Sequence, residues 1–250
     1  MRKFLAGWLT LVLALVCISA YAQDYAREKH WAEEIVPDLV VGNAVRLRQA
    51  NGHRFLGLYV EVNNAKAAVL LVHGRGVHPN FGVVGELRVA LADMGYTTLS
   101  IQMPVLAAGA KSSAYYPKLF PDADERIALA ARWLRARGYS KIVLLSHSLG
   151  SWMANVYLEK VRRQPFAAWV CLGRTGTFGR LKPLKVPVLD VYGQHDLAPV
   201  VRAAAARRAW LRHDPGSRQV MIPGTGHFYT GQESELAAVI GRFIAREVVK

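Results

Sequence analysis

Ser148 is the residue with the clearest chemistry. It stands in the run Ser146, His147, Ser148, Leu149, Gly150, behind the apolar stretch Ile142 to Leu145 and ahead of Ser151 to Tyr157, which reads as helix. Strand, sharp turn, hydroxyl, helix is the order that lifts a serine oxygen out of a sheet, where a base can take its proton and the oxygen can attack an acyl carbon. Small residues two places before and two after the serine let strand and helix pass closely. The rear position is Gly150. The front one is Ser146, where glycine is usual, and a serine is small enough to be tolerated there. So short a string does not establish chemistry alone; a base, an acid and a pair of amide donors must come from elsewhere in the chain.

A base is available near the end. The loop Pro223, Gly224, Thr225, Gly226, His227, Phe228, Tyr229 sets an imidazole between the last strand-like run and the last helix, and its glycines let it reach over a sheet edge toward Ser148. Imidazole can take a hydroxyl proton near neutral pH and return it to a leaving group. None of the other seven histidines has this placement. A loop histidine can also be merely solvent-exposed, and that is the reading for His195 and His78 unless they support the site from behind. No HExxH, paired CxxC, carboxylate cluster of metal-ligand spacing or dinucleotide fingerprint is found, so neither a metal nor a nucleotide cofactor is implied.

The elements that must position these groups alternate along the chain. Val45 to Arg48 and Phe55 to Val62, parted by Asn51 and Gly52, read as an edge hairpin. Ala68 to Val72, Tyr96 to Ile101, Lys141 to Leu145, Ala168 to Leu172, Val186 to Val191 and Arg218 to Ile222 are short apolar runs of the kind that form buried parallel strands. Amphipathic stretches lie between and after them, at about Val83 to Met94, Asp122 to Arg137, Trp152 to Arg163, Pro199 to His213 and Glu233 to Val249. The expectation is an α/β fold with an eight-stranded, mostly parallel sheet flanked by helices, Ser148 following the fifth strand.

With 250 residues, 52% of them hydrophobic, the chain suits one large core and no internal repeat. The division expected is a signal peptide at residues 1–22 and a single domain at 23–250. Arg2 and Lys3 precede an apolar stretch from Phe4 to Ile18, and Ala20, Tyr21, Ala22 give the small-x-small pattern for cleavage after Ala22. An uncleaved anchor is the alternative reading, against which stand Gly7 and Thr10 within a stretch short of ~20 apolar residues. Export to the periplasm or beyond follows. Cys17 leaves with the signal, so Cys171 is the only remaining thiol and reads as a buried core residue. The net charge is +14, or two less once Arg2 and Lys3 are gone. Such an excess favours anionic surfaces of the cell envelope. The arginines are scattered, as in Arg126, Arg132, Arg135 and Arg137 or Arg202, Arg207, Arg208 and Arg212; they read as solvated helix faces, and no nucleic acid is expected as a partner.

Across nearly the whole mature chain this arrangement resembles the α/β-hydrolase fold. Thr98 to Pro104, His78 to Asn80 upstream and His147 to Gly150 are together similar to a family of exported bacterial α/β-hydrolase-like proteins of unassigned function. The resemblance implies a triad in chain order serine, acid, histidine: Ser148, Asp196 and His227. Asp196 lies in the loop after the seventh strand where such an acid stands; its other reading is a helix N-cap before Pro199, and Asp190, inside the strand, is a weaker alternative acid. The resemblance also places His73, Gly74, Arg75 and Gly76 as an esterase-like HGxG loop, so that the amides of Leu149 and Arg75 would form an oxyanion hole, with Gly74, Gly76 and Gly150 as supporting loop positions. Whether the Arg75 side chain also favours an anionic substrate stays open, and His147 would support the serine turn. With only Gly173 to Lys185 between the sixth and seventh strands, no large cap domain is expected. Val105 to Pro121, with Tyr115, Tyr116, Leu119 and Phe120, reads either as a flap over an acyl pocket or as a packed loop. The implied activity is hydrolysis of carboxylic esters or related acyl bonds of a small or lipid-like substrate through an acyl-enzyme. The alternative is a non-catalytic scaffold binding an envelope lipid, glycan or protein.

Overall fold

A computed structural model of the chain describes residues 23–115, 118–178, 184 and 186–249. The expected signal peptide, and with it Cys17, lies outside the described residues. From Gln23 onward the elements run α1 (Tyr25–Ile35), β1 (Asn43–Arg48), β2 (Arg54–Val60), β3 (Ala68–Val72), α2 (Gly82–Asp93), β4 (Thr97–Ile101), α3 (Phe120–Ala136), β5 (Ile142–His147), α4 (Leu149–Lys160), β6 (Ala168–Leu172), β7 (Val188–Gly193), α5 (Ala198–Leu211), β8 (Arg218–Ile222) and α6 (Glu233–Ile244). A π-helical turn, Ala245–Val249, extends α6. None of the described helices is long and apolar enough to cross a membrane.

The strands form one sheet in the order β1-β2-β4-β3-β5-β6-β7-β8, with β1 and β2 antiparallel to their neighbours and the rest parallel. Both faces are covered, which explains the unbroken apolar runs of the central strands. Leu70, Val72 and Leu144 point to the layer built by α3, α4 and the end of α5, whereas Val69, Leu71, Val143 and Leu145 point to α2 and α6. All eight expected strands are present, and the helical stretches are shifted by up to three residues. The largest shift is at α4, which begins at Leu149 rather than Trp152 because the turn at Ser148 leads straight into it.

Helix α1 had no expectation attached to it. Its Asp24 side chain accepts from the Arg27 amide as an N-cap, and its buried Ala32 packs with Leu56 and Leu58 of β2. The reading of the arginines as solvated faces fails for two of the eight named. Arg126 and Arg207 are fully buried. The Arg126 guanidinium donates to Glu28, Gln49 and the carbonyl of Gln102, and the Arg207 Nε donates to Asp190 at 2.8 Å. A buried cation is tolerable where such acceptors replace water, and neither helix pattern shows where those acceptors lie.

Candidate active site

Parallel strands deliver their following loops to one edge of the sheet, and β3, β5, β6, β7 and β8 all end there. Ser148 follows β5 with φ 56 and ψ −120, a conformation a non-glycine residue seldom adopts, and its amide donates to the Leu172 carbonyl of β6 at 2.9 Å. Gly150 lets α4 press on β3: a Cβ there would fall 2.4 Å from the His73 carbonyl oxygen. Helix α4 therefore starts against the end of β3, beside the loop that carries Gly74 and Arg75.

The three residues expected to act together do meet. The Ser148 hydroxyl lies 2.8 Å from Nε2 of His227, and Nδ1 of His227 lies 2.6 Å from Oδ1 of Asp196. The Asp196 carboxylate also accepts the amides of Leu197 at 2.7 Å and Gly193 at 3.2 Å, so its rotamer is set from three directions. It does not cap α5. With the carboxylate accepting the Nδ1 proton, the Nε2 lone pair faces the serine hydroxyl. Asp190, the alternative acid, is fully buried and held by Arg207 and by Gln219 at 2.8 Å. Burial pushes its pKa up while Arg207 pulls it back. It is a structural acceptor.

The front of the serine turn explains its departure from glycine. Ser146 is fully buried, and its hydroxyl accepts the indole N–H of the fully buried Trp169 at 2.9 Å. Glycine there would leave that donor without an acceptor.

Two further histidines sit around the serine as neutral struts. His147 donates from Nε2 to the carbonyl of His227 at 2.9 Å, tying the serine turn to the loop after β8. Burial pushes its pKa down to about 4. In His73, Nε2 accepts the Met103 amide at 2.9 Å, which leaves Nδ1 to donate to the Gly74 carbonyl at 2.8 Å. Burial pushes its pKa down to about 3. The Gly74 carbonyl and the Arg75 N–H belong to one planar trans peptide, so this bond fixes the direction of the Arg75 amide. Gly74 leaves little room beside the serine, since a Cβ would lie 3.3 Å from that of Ser148, and Gly76 has φ +66. His195 is exposed, and His78 is half-buried with its ring against Trp31 and Phe81.

Ser148, Leu149, His227, Gly74 and Arg75 line one cavity of about 550 Å³. Its remaining wall is largely apolar, from Val77, Phe81, Val83, Val84, Leu197 and Phe228. Tyr115, Leu119 and Phe120 are not in that wall. They are buried in the core with α3 and α4, so these side chains are packed and do not form a flap over the cavity, and Tyr116 lies outside the described residues. Cys171 is buried, and burial pushes its thiol up to about 12. Among the described residues no three His, Cys, Asp or Glu side chains cluster closely enough to hold a metal ion.

One residue of the site escaped the sequence reading. Gly173 has φ +56, and a Cβ on it would come within 2.9 Å of the His227 ring and 3.5 Å of the Asp196 carboxylate. It is the floor beneath the imidazole. The only hint in the sequence is a glycine directly after a central strand.

The chain resembles several solved proteins. It superposes on a putative α/β hydrolase from Agrobacterium tumefaciens with a TM-score of 0.66 and 19% identity, over 81% of this chain and 95% of that one. A Pyrococcus furiosus esterase gives 0.67 and 16% over 86% and 96%. A dienelactone hydrolase from Anabaena variabilis gives 0.64 and 22% over 82% and 97%. The chain has the α/β-hydrolase fold. Residues 6–119 match a family described as protein of unknown function (DUF3530). That match spans the loop of Gly74 to Gly76 but ends before Ser148. No curated protein matches in sequence.

Proposed function

We propose that the protein is an exported serine hydrolase acting on carboxylic esters or a related acyl bond. The observation that carries this reading is the unbroken chain from the Ser148 hydroxyl through His227 to Asp196, opening on a cavity with an apolar wall. In the first half-reaction His227 Nε2 takes the hydroxyl proton as Ser148 Oγ bonds to the acyl carbon. The carbonyl oxygen becomes an oxyanion facing the amides of Leu149 and Arg75. Collapse breaks the bond to the leaving group, which receives the proton from His227. Water, deprotonated by the same imidazole, then releases the acid from Ser148. The Asp196 carboxylate stabilises the imidazolium formed in each half.

The wall formed by Val77, Phe81, Val83, Val84, Leu197 and Phe228 supports an apolar acyl or alkyl group, and each methylene buried there is worth ~0.8 kcal/mol, roughly fourfold in kcat/KM. The basic excess supports work close to an anionic envelope surface. The alternative of a non-catalytic scaffold has two supports, Ser146 in place of the usual front glycine and the family of unknown function that residues 6–119 match; against the first, the bond from Trp169 gives Ser146 a structural role. A fluorophosphonate probe should label the wild-type protein and not Ser148→Ala, with p-nitrophenyl ester turnover falling by ~10⁴-fold or more in the variant. Labelling that survives in Ser148→Ala, or a folded wild type that is neither labelled nor active, would remove the proposal.

A further inference from the structure

Helix α1 contributes nothing to the triad, yet one of its side chains grips the loop that carries the Arg75 amide. Arg27 donates from Nη2 to the Gly76 carbonyl at 3.0 Å and from Nη1 to the Leu106 carbonyl at 2.8 Å. It thereby ties the turn after β3 to the segment after β4. Trp31, one helical turn on, places its ring beneath the guanidinium, whose carbon is 4.4 Å from the ring centroid. The helix is itself pinned: the Asp24 amide donates to the Val105 carbonyl at 2.8 Å, and Glu28 receives the buried Arg126, which also donates to the Gln102 carbonyl.

Gly76 needs a hold of this kind. It sits at φ +66, and a glycine contributes no side chain to lock its own turn. His73 fixes the peptide between Gly74 and Arg75 from inside the fold, whereas Arg27 fixes the next carbonyl but one from outside. We infer that Arg27 is a positioning residue for the oxyanion arm, so that the helix beginning just after the expected cleavage site forms part of the catalytic apparatus. Arginine suits the task because its planar fork satisfies two carbonyls at once; a lysine can reach them only as a single point donor.

The inference rests on the hydrolase reading, and its signature lies in kcat. An amide that stabilises the oxyanion acts in the transition state, so loosening it lowers kcat and leaves KM nearly unchanged. Turnover of a p-nitrophenyl ester is measured per site titrated with a fluorophosphonate, for wild type, Arg27→Ala, Arg27→Lys and Lys29→Ala. Arg27→Ala should lose ~10-fold in kcat per titrated site, short of the ~10²- to 10³-fold cost of deleting a donor outright. Arg27→Lys should fall between it and wild type, with KM within about twofold throughout. Lys29→Ala, on the exposed side of the same helix, should match wild type. A lower titratable fraction with unchanged kcat per site would make Arg27 a stability residue only and overturn the inference. Should Arg27→Ala not fold, Arg27→Lys and Trp31→Leu carry the same test. If wild type is active and the variants equal it, the inference alone fails; if wild type is neither labelled nor active, both readings fail together.

Discussion

The serine rim and the oxyanion arm meet at one cavity, but they are held by different means. At the rim the chain positions its groups at close quarters. Gly173 makes a floor for the imidazole, Asp196 is gripped by Gly193 and Leu197 from its own loop, and His147 next to Ser148 binds the carbonyl of His227. At the arm the holds are polar side chains that grip backbone carbonyls. His73 is anchored by Met103, 30 positions on, and Gly76 by Arg27, 49 positions back. The rim is thus governed by contacts on the triad side chains themselves, both steric and hydrogen-bonded, and the arm by polar struts on backbone carbonyls. A fault at the rim should displace the reacting groups themselves. A fault in a strut should relax a peptide that the rest of the fold still holds in part.

Gly173→Ala should be the most damaging of the tests that follow from this contrast. Its methyl would stand 2.9 Å from the His227 ring on a backbone at φ +56, and the ring cannot retreat without leaving Asp196 or Ser148. A displacement near 1 Å costs ~10²-fold in rate. The check is kcat/KM on a short ester together with the thermal midpoint. A variant that keeps more than a third of wild-type kcat/KM while remaining folded would show that the rim is not sterically governed.

The same contrast explains what could be read from the sequence. The strands were legible because burial on both faces leaves an apolar run between glycines and polar turns. Ser148, Asp196 and His227 were legible because each follows a strand in the order that the resemblance implies. Helix α1 was not, since its one-sided contact with β2 leaves only Ala32 and Glu28 buried, too few for a clear apolar stripe. Arg126 and Arg207 were misread because a charge is assigned to solvent unless its acceptors are visible. Those acceptors are Glu28, Gln49 and Gln102 for one and Asp190 for the other, brought close only by the fold.

The two neutral histidines sharpen the comparison through pH, one in each region. An unfolded histidine takes up a proton near pH 6.5, whereas burial holds His147 neutral down to about 4 and His73 down to about 3. Below pH 6.5 the unfolded chain therefore binds more protons than the folded one, and stability falls as pH falls. Each histidine contributes up to ~1.4 kcal/mol per pH unit. Its contribution is absent above about 6.5, grows as the pH drops, and levels off below the folded pKa. Urea midpoints from pH 7 to 3 for wild type, His147→Gln and His73→Gln should show it. The stability gap between wild type and His147→Gln should stop changing near pH 4, and that for His73→Gln should go on changing toward pH 3. Gaps independent of pH would mean that both rings take up a proton as readily in the folded chain as in the unfolded one, so that neither is a neutral strut and His73 Nε2 is not held as the acceptor of the Met103 amide.

The mildest substitution separates packing from chemistry within the rim. Ser146→Gly restores the residue usual at the front of a serine turn, and nothing in the triad touches the hydroxyl it removes. What it removes is the acceptor of the Trp169 indole N–H, which at 0% exposure has no water to turn to. A buried donor left without a partner costs ~1–3 kcal/mol, and the low end applies here because the Ser151 hydroxyl, 3.2 Å from that of Ser146, can rotate toward the vacated space. A loss of about 1 kcal/mol in unfolding free energy with kcat per titrated site within twofold of wild type is the expected result. If kcat falls tenfold instead, the serine hydroxyl shapes the nucleophile's turn directly, and the front of the rim belongs with the chemistry rather than with the core beneath it.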